Sequence, residues 1–186
     1  MNKMNLPQLL GLSIIFDIII LDQLSKWGIM ELILRPELTG GQGLGFVDWI
    51  MHPPLRLDFV SIPVIANFNL TMVWNEGVSF GMMGGMGIWP LIILAMTIVS
   101  IFFVWLLKST SKFESVSLAF VIGGAIGNVI DRFRFGAVAD FFDVYVGHYH
   151  WPAFNIADSA ITIGVVMLII HGLFLDKDKK DQSNEN

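Results

Sequence analysis

Twenty consecutive residues, Ile88–Leu107 (IWPLIILAMTIVSIFFVWLL), carry no charged side chain. A helix rises about 1.5 Å per residue, so this run matches the roughly 30 Å hydrocarbon core of a bilayer. A chain containing it folds in lipid or buries it deeply, and the composition decides between the two. Of 186 residues, 54% are hydrophobic and only 15% charged, with a mean hydropathy of +0.67, too apolar for a soluble domain of this length.

Three weaker spans accompany the clean one. The first covers about residues 6–29 and is interrupted by Asp17, Asp22 and Lys26; the third covers about 115–132 and ends in NVIDR; the fourth covers about 158–175. Four spans place both ends of the chain on one side. Lys3, Lys108, Lys112, Lys177, Lys179 and Lys180 fall on that side, with Arg35, Arg56, Arg132 and Arg134 on the other, which predicts cytoplasmic termini. Residues 1–175 are expected to form one membrane-embedded domain, and 176–186 (DKDKKDQSNEN) a solvated cytoplasmic tail. The first span is expected to be retained, because Asp17 breaks it and no small-x-small cleavage site follows. With no cysteine, the chain has no disulfide framework, no thiolate nucleophile and no cysteine metal site.

The outer region, about residues 31–87, is not uniformly polar. In NFNLTMVWN, Phe68, Leu70, Met72 and Trp74 alternate with Asn67, Asn69, Thr71 and Asn75, which predicts a half-buried strand in a small sheet on the membrane surface. The segment of about 34–57 holds Gly, Pro and Trp and predicts an interfacial loop or short helix lying flat. NEGVSFGMMGGMG, around Gly77–Gly87, predicts a flexible apolar loop suited to touching lipid or an adaptable ligand.

Because each span reverses direction, the polar residues can be sorted by depth. Asp22 and Lys26, Asn75, Asn128 with Asp131 and Arg132, Asp140, and Asn155 with Asp158 all converge on the outer face. Charge at mid-membrane costs at least about 2.5 kcal/mol per group, so such a cluster marks a site. Asp158 has a sufficient local reason to be where it is: with Asn155 as N-cap it would stand at N3 of the fourth helix, completing a capping-box-like pair. Asp140 can equally be a loop acid. Together, however, they bracket a short outer segment, and two carboxylates about 3 Å apart share a proton, one activating water while the other donates to a carbonyl oxygen. Asp143, three residues past Asp140, competes for this role on spacing alone. Asp22 and Lys26 (i, i+4) and Asn128, Asp131 and Arg132 (i, i+3, i+4) share helix faces and are expected to act as interhelical support. Gly123 and Gly127 predict close helix packing. His148 and His150 predict a surface strand rather than a metal site.

DQLSKW, NEGVSFG, GGAIGNVIDRFRFGAVADFF and FNIADSAI resemble, in order, the motif blocks of lipoprotein signal peptidase (signal peptidase II), over about residues 6–173. The resemblance implies an α-helical integral membrane protein with four transmembrane helices, a small periplasmic β-sheet cradle and a periplasmic helix or loop. It implies an aspartic endopeptidase of the bacterial inner membrane that removes the signal peptide of diacylglyceryl-modified prolipoproteins, cutting before the lipidated cysteine. Carried over, the catalytic pair falls on Asp140 and Asp158, in preference to Asp143. Asp22, Lys26, Asn75, Gly77, Asn128, Asp131, Arg132 and Asn155 fall on positions that shape or line the site, with Asn75 and Arg132 near the substrate. Its partners would be the lipid-modified precursor and membrane lipids, with no nucleic acid, metal or cofactor, and the enzyme would be a monomer. Ser25, Glu76 and Ser79 depart mildly from the family pattern, and the insert of about 34–57 is longer than usual. Asp17 is expected to face a polar cleft or a neighbouring helix. A proton relay or small transporter is the rival reading, but it would string acids through the bilayer, whereas here all but Asp17 gather at one face.

Overall fold

The computed structural model describes residues 4–77 and 87–175, so the expected loop about Gly77–Gly87, for the most part, and the expected tail at 176–186 lie outside the described residues. Four of its helices are long and apolar enough to cross a membrane. The first, α1 (Leu6–Trp27), starts at Asn5, which forms a capping box with Gln8 and has Pro7 in the first turn. It does not stop near residue 29. It continues as a π-wound stretch, Gly28–Leu34, into α2 (Arg35–Thr39), making one rod of 34 residues. The extension persists because Met30 and Leu34 are fully buried beneath the sheet and Glu31, also buried, pairs with Arg35 at 2.6 Å. A short helix, α3 (Phe46–Met51), follows.

α4 (Trp89–Leu106) buries only Ile92, Val99 and Leu106, a single stripe at seven-residue spacing. α5 (Lys112–Phe135) is the central helix: α1, α4 and α6 (Ile156–Ile170) all pack on it. Ser111 caps its start, and Gly136, at φ +72, ends it and turns the chain into a strand. Ile15, Val99, Leu106, Leu118, Ala119 and Ile122 form the core between these helices.

At one end of the bundle lies an antiparallel sheet of order β1-β2-β3-β4: Ser61–Ile65, Phe68–Asn75, Val138–Val146 and Tyr149–His150. The expected strand is therefore present, with Asn75 as its last residue rather than in a loop. Its alternation is broken, since Leu70, Thr71 and Met72 are buried in succession. An irregularity between Leu70 and Val73 in the pairing with β3 causes this, because slipping one residue turns the following side chains to the other face. Asp17 lies on the exposed side of α1 with Phe16, Ile20 and Leu21, and not in a cleft or against a helix as expected. Nothing in the structure explains it.

Candidate active site

After β4 the chain runs back along β3, and Phe154 pairs with Phe142 through backbone hydrogen bonds of 2.9 and 3.2 Å in both directions. In antiparallel pairing each step back on one strand matches a step forward on the other, so Asn155 falls beside Phe141 and the first turn of α6 beside Asp140. This return is what brings two acids eighteen residues apart to one place.

Asn155 is the junction. As N-cap of α6 it accepts from the Asp158 amide at 2.9 Å, and its own amide donates to Asp158 Oδ2 at 3.3 Å, completing the capping box. Its side-chain Nδ2 donates to Asp140 Oδ1 at 2.7 Å. Asn128 on α5 donates from Nδ2 to Asp158 Oδ1 at 2.8 Å, and its Oδ1 accepts from Asn155 at 3.2 Å. The local and chemical reasons for an acid at 158 thus coexist: one carboxylate oxygen caps the helix and the other turns to Asn128. On the far side of Asp140, Asn75 donates to Oδ2 at 3.0 Å, its amide oriented by the Gly77 N–H, which donates to Asn75 Oδ1 at 3.0 Å.

Beneath this layer the support residues form a matched pair of backbone hooks. Asp22 Oδ1 accepts from the amide of Ala157, the residue before Asp158, at 3.1 Å. Asp131 Oδ2 accepts from the amide of Ala139, the residue before Asp140, also at 3.1 Å. Lys26 Nζ lies between the two carboxylates, 2.8 Å from Asp22 and 2.7 Å from Asp131, and all three side chains are fully buried. One ammonium therefore ties together the hooks that hold both acid-bearing segments. Gly127 belongs to this layer, because a Cβ there would stand 2.5 Å from Asp22 Oδ2.

Asp140 is 1% exposed, and burial, reinforced by the charge of Asp158, lifts its pKa from the ordinary 3.8 to about 7. Asp143 behaves oppositely. Burial alone would raise its pKa, but hydrogen bonds from His150, Asn69 and Thr71, at 2.6, 3.2 and 3.0 Å, outweigh it and hold the carboxyl below the ordinary value. Three residues apart on a strand, the two acids point to opposite faces, and Asp143 hydrogen-bonds to none of the residues around Asp140 and Asp158. His150 lies in β4 as expected, stacked on Tyr145 and bound to Asp143, and His148 is exposed beside it.

Two apolar hollows flank the acids. One, of about 490 Å³, has Asp158 in its wall with Trp151, Phe154 and Ile163. The other, of about 270 Å³ between α4, α5 and α6, is bordered by Asn128 and Arg132. Arg132 donates from Nη1 to the Asn128 carbonyl at 3.3 Å, while its buried Nε has no partner among the described residues.

Sequence reasoning missed Gln23 and Arg134. Gln23 donates to both Asp22 and Asp131 at 3.1 Å and accepts from Arg134 at 3.2 Å. Its signal was available: a buried amide beside Asp22 in an apolar span needs partners of its own. Gly124 was also passed over, although a Cβ there would lie 2.4 Å from the Ala157 carbonyl oxygen, closer than at Gly123, where Ile18 would be met at 2.9 Å.

The profile of the signal peptidase (SPase) II family matches residues 14–174. A lipoprotein signal peptidase of Acinetobacter baumannii is 36% identical over 180 residues, covering 94% of this chain and 88% of that one. One from Desulforapulum autotrophicum is 46% identical over 123 residues, covering 61% of this chain and 75% of the relative. A bacterial membrane enzyme solved by the in meso method at 2.3 Å superposes with a TM-score of 0.64 at 29% identity, covering 95% of this chain and 91% of the other.

Proposed function

The chain belongs to the signal peptidase II family, and from that premise we propose that Asp140 and Asp158 are its catalytic pair. As a member it is a membrane aspartic peptidase that cleaves signal peptides from prolipoproteins. The observation that carries the assignment of the pair is the double use of Asn155, whose side chain holds Asp140 at 2.7 Å while its backbone holds Asp158 at 3.3 Å.

In the mechanism we infer, the pair holds one proton between two carboxyls. Asp140, with its pKa near 7, carries that proton and donates it to the carbonyl oxygen of the scissile bond. Asp158, half-buried and open to a hollow, takes a proton from the attacking water. The water oxygen adds to the carbonyl carbon, giving a neutral tetrahedral diol. On collapse Asp158 returns its proton to the departing amine and Asp140 recovers one from the diol hydroxyl, so the pair ends as it began. Asn75, Asn128 and Asn155 keep the carboxylate planes fixed, and a pre-set orientation of that kind lowers the barrier through proximity. Arg132, whose buried Nε–H has no partner among the described residues and lies at the rim of one hollow, is suited to bind a substrate carbonyl. Asp22, Lys26 and Asp131 position the two aspartate-bearing segments without touching the reacting atoms.

The substrate is a precursor bearing a diacylglyceryl group, cut before the modified cysteine, and the apolar hollows suit acyl chains and an apolar signal helix. Remote binding of this kind positions a bond that the tails never touch. We place the enzyme in the inner membrane with both termini cytoplasmic and the pair near the periplasmic face, acting as a monomer whose residues 1–175 form one domain. The test is incubation of the purified protein with a diacylglyceryl-modified precursor, a matched unmodified precursor, and each again with a metal chelator. Cleavage of the modified precursor alone, unchanged by chelation, is the expected result; equal cleavage of both, or loss on chelation, overturns the proposal.

A further inference from the structure

The insert between α1 and the sheet exposes an apolar helix face that neither the hollows nor the aspartates use. In α3, Val47, Ile50 and Met51 are 71%, 39% and 69% exposed, and at positions i, i+3 and i+4 they form one stripe. Leu44 and Leu55, at 37% and 88% exposed, extend the patch on either side of the helix. Opposite the stripe, Trp49 is fully buried, stacked under the Arg134 guanidinium at 3.8 Å and packed on Phe135 with ring centroids 5.9 Å apart. Phe46 meets Trp27 at 5.5 Å, and the Trp27 indole N–H donates to the Leu44 carbonyl at 2.9 Å. Asp48 lies to the side, exposed.

These anchors fix the height of α3. Trp27 is the last residue of α1 proper, one position past Lys26, and Arg134 and Phe135 close α5. Phe135 ends a helix long and apolar enough to span a bilayer, so the packing of Trp49 on it sets α3 level with the boundary where that helix leaves the hydrocarbon. Leu24, Leu32 and Ile33 on the first helix are exposed apolar residues as well. The return loop cannot swing the helix away: the Leu44 amide donates to buried Glu31 at 3.0 Å, and a Cβ on Gly43 would overlap the Glu31 carbonyl at 1.8 Å.

We propose that α3 is an interfacial anchor whose Val47, Ile50 and Met51 enter the phospholipid leaflet at the sheet end of the bundle, fixing the height of the sheet above the membrane. The occupant is lipid rather than a second protein, because Trp49 ties α3 to Arg134 and Phe135, the last residues of a helix long and apolar enough to span a bilayer. A six-residue helix has too little area for a stable protein interface, but enough apolar side chains to partition into the headgroup and acyl boundary.

The absence of cysteine makes the test clean. Single variants Val47→Cys, Ile50→Cys, Met51→Cys and, as a control, Asp48→Cys are spin-labelled in the full chain in nanodiscs of phosphatidylethanolamine and phosphatidylglycerol. Collision rates with oxygen and with a water-soluble nickel chelate are then measured. The stripe positions are expected to favour oxygen over nickel, with the ratio inverted at Asp48. Equal nickel access at all four positions puts the stripe in water and overturns the proposal. Low access to both agents at the stripe means that protein covers it, which overturns it as well. Reactivity of the unlabelled cysteines with a membrane-impermeant maleimide, slower at the three stripe positions than at 48, gives the same readout without a bulky label, and uniform reactivity would refute the anchor.

Discussion

The two ends of one helix bundle are held by different physics. At the end away from the sheet, α1 approaches α4, and α6 approaches α5, through glycines: a Cβ on Gly11 would meet Leu106 at 2.6 Å, and one on Gly164 would meet the Ser117 carbonyl oxygen at 2.7 Å. At the sheet end Gly127 makes room for the carboxylate of Asp22, and the contact is completed by Lys26, Gln23, Asp131, Asn128 and Asn155. Lipid supplies no hydrophobic drive between helices, so association rests on close packing and polar contacts, and the balance differs: away from the sheet Asn5 and Gln8 add hydrogen bonds to the Ser109 and Leu107 carbonyls, whereas the fully buried ion pairs lie at the sheet end. Packing alone brings helices together. The ion and hydrogen-bond network also fixes where two particular backbone amides lie, those of Ala139 and Ala157, and so where Asp140 and Asp158 lie.

If that division is right, the largest effect follows from removing the shared cation. Lys26→Met leaves two fully buried carboxylates uncompensated and should cost about 3–5 kcal/mol of stability, measured by unfolding in detergent. The triple change Asp22→Asn, Lys26→Met, Asp131→Asn should recover most of that stability, because no buried charge is left alone. It should not recover full activity, since the hooks are weakened. Recovery of neither would mean that the loss is one of volume rather than charge.

Next in size is a pH dependence confined to the sheet end. A carboxyl whose pKa is raised on folding, as at Asp140, stabilises the fold below its unfolded pKa and loses that contribution as pH rises through the folded value. Asp140→Asn should therefore gain stability relative to wild type by about 1.4 kcal/mol per pH unit between roughly pH 4 and 7, and stay level outside that window. Thermal unfolding across this pH range reads the slope directly. The smallest effect belongs to the other end. Gly164→Ala forces a methyl against the Ser117 carbonyl oxygen and should cost about 1–3 kcal/mol, equally at every pH. A pH-dependent cost there would blur the comparison between the two ends.

The legible features were those set by local rules. Depth sorting of charged residues picked out a group that the fold brings together, because a span without charge fixes direction for all the others. The capping pair of Asn155 and Asp158 followed from residue type and spacing alone. Less was legible where a residue's role depends on a partner far along the chain. Asp22 was visible as a buried acid, but its bond to the Ala157 amide spans 135 positions and no periodicity announces it. Gln23 and Arg134 were hidden for the same reason. The full length of the first helix was hidden because its extension rests on Met30 and Leu34 meeting the sheet, a tertiary contact that overrides the glycine and proline signals around it. The insert was read as interfacial from composition, whereas the division between buried Trp49 and exposed Val47, Ile50 and Met51 needed the folded helix.

The most direct test of the paired-acid account is turnover of a diacylglyceryl-modified precursor by purified Asp140→Asn, Asp158→Asn and the double variant, each folded and membrane-inserted as wild type. The two acids act as one unit, so each single change should lower the rate by about 10²–10⁴-fold or more and the double should be no worse than the singles. Near-wild-type turnover by either single variant would contradict the account.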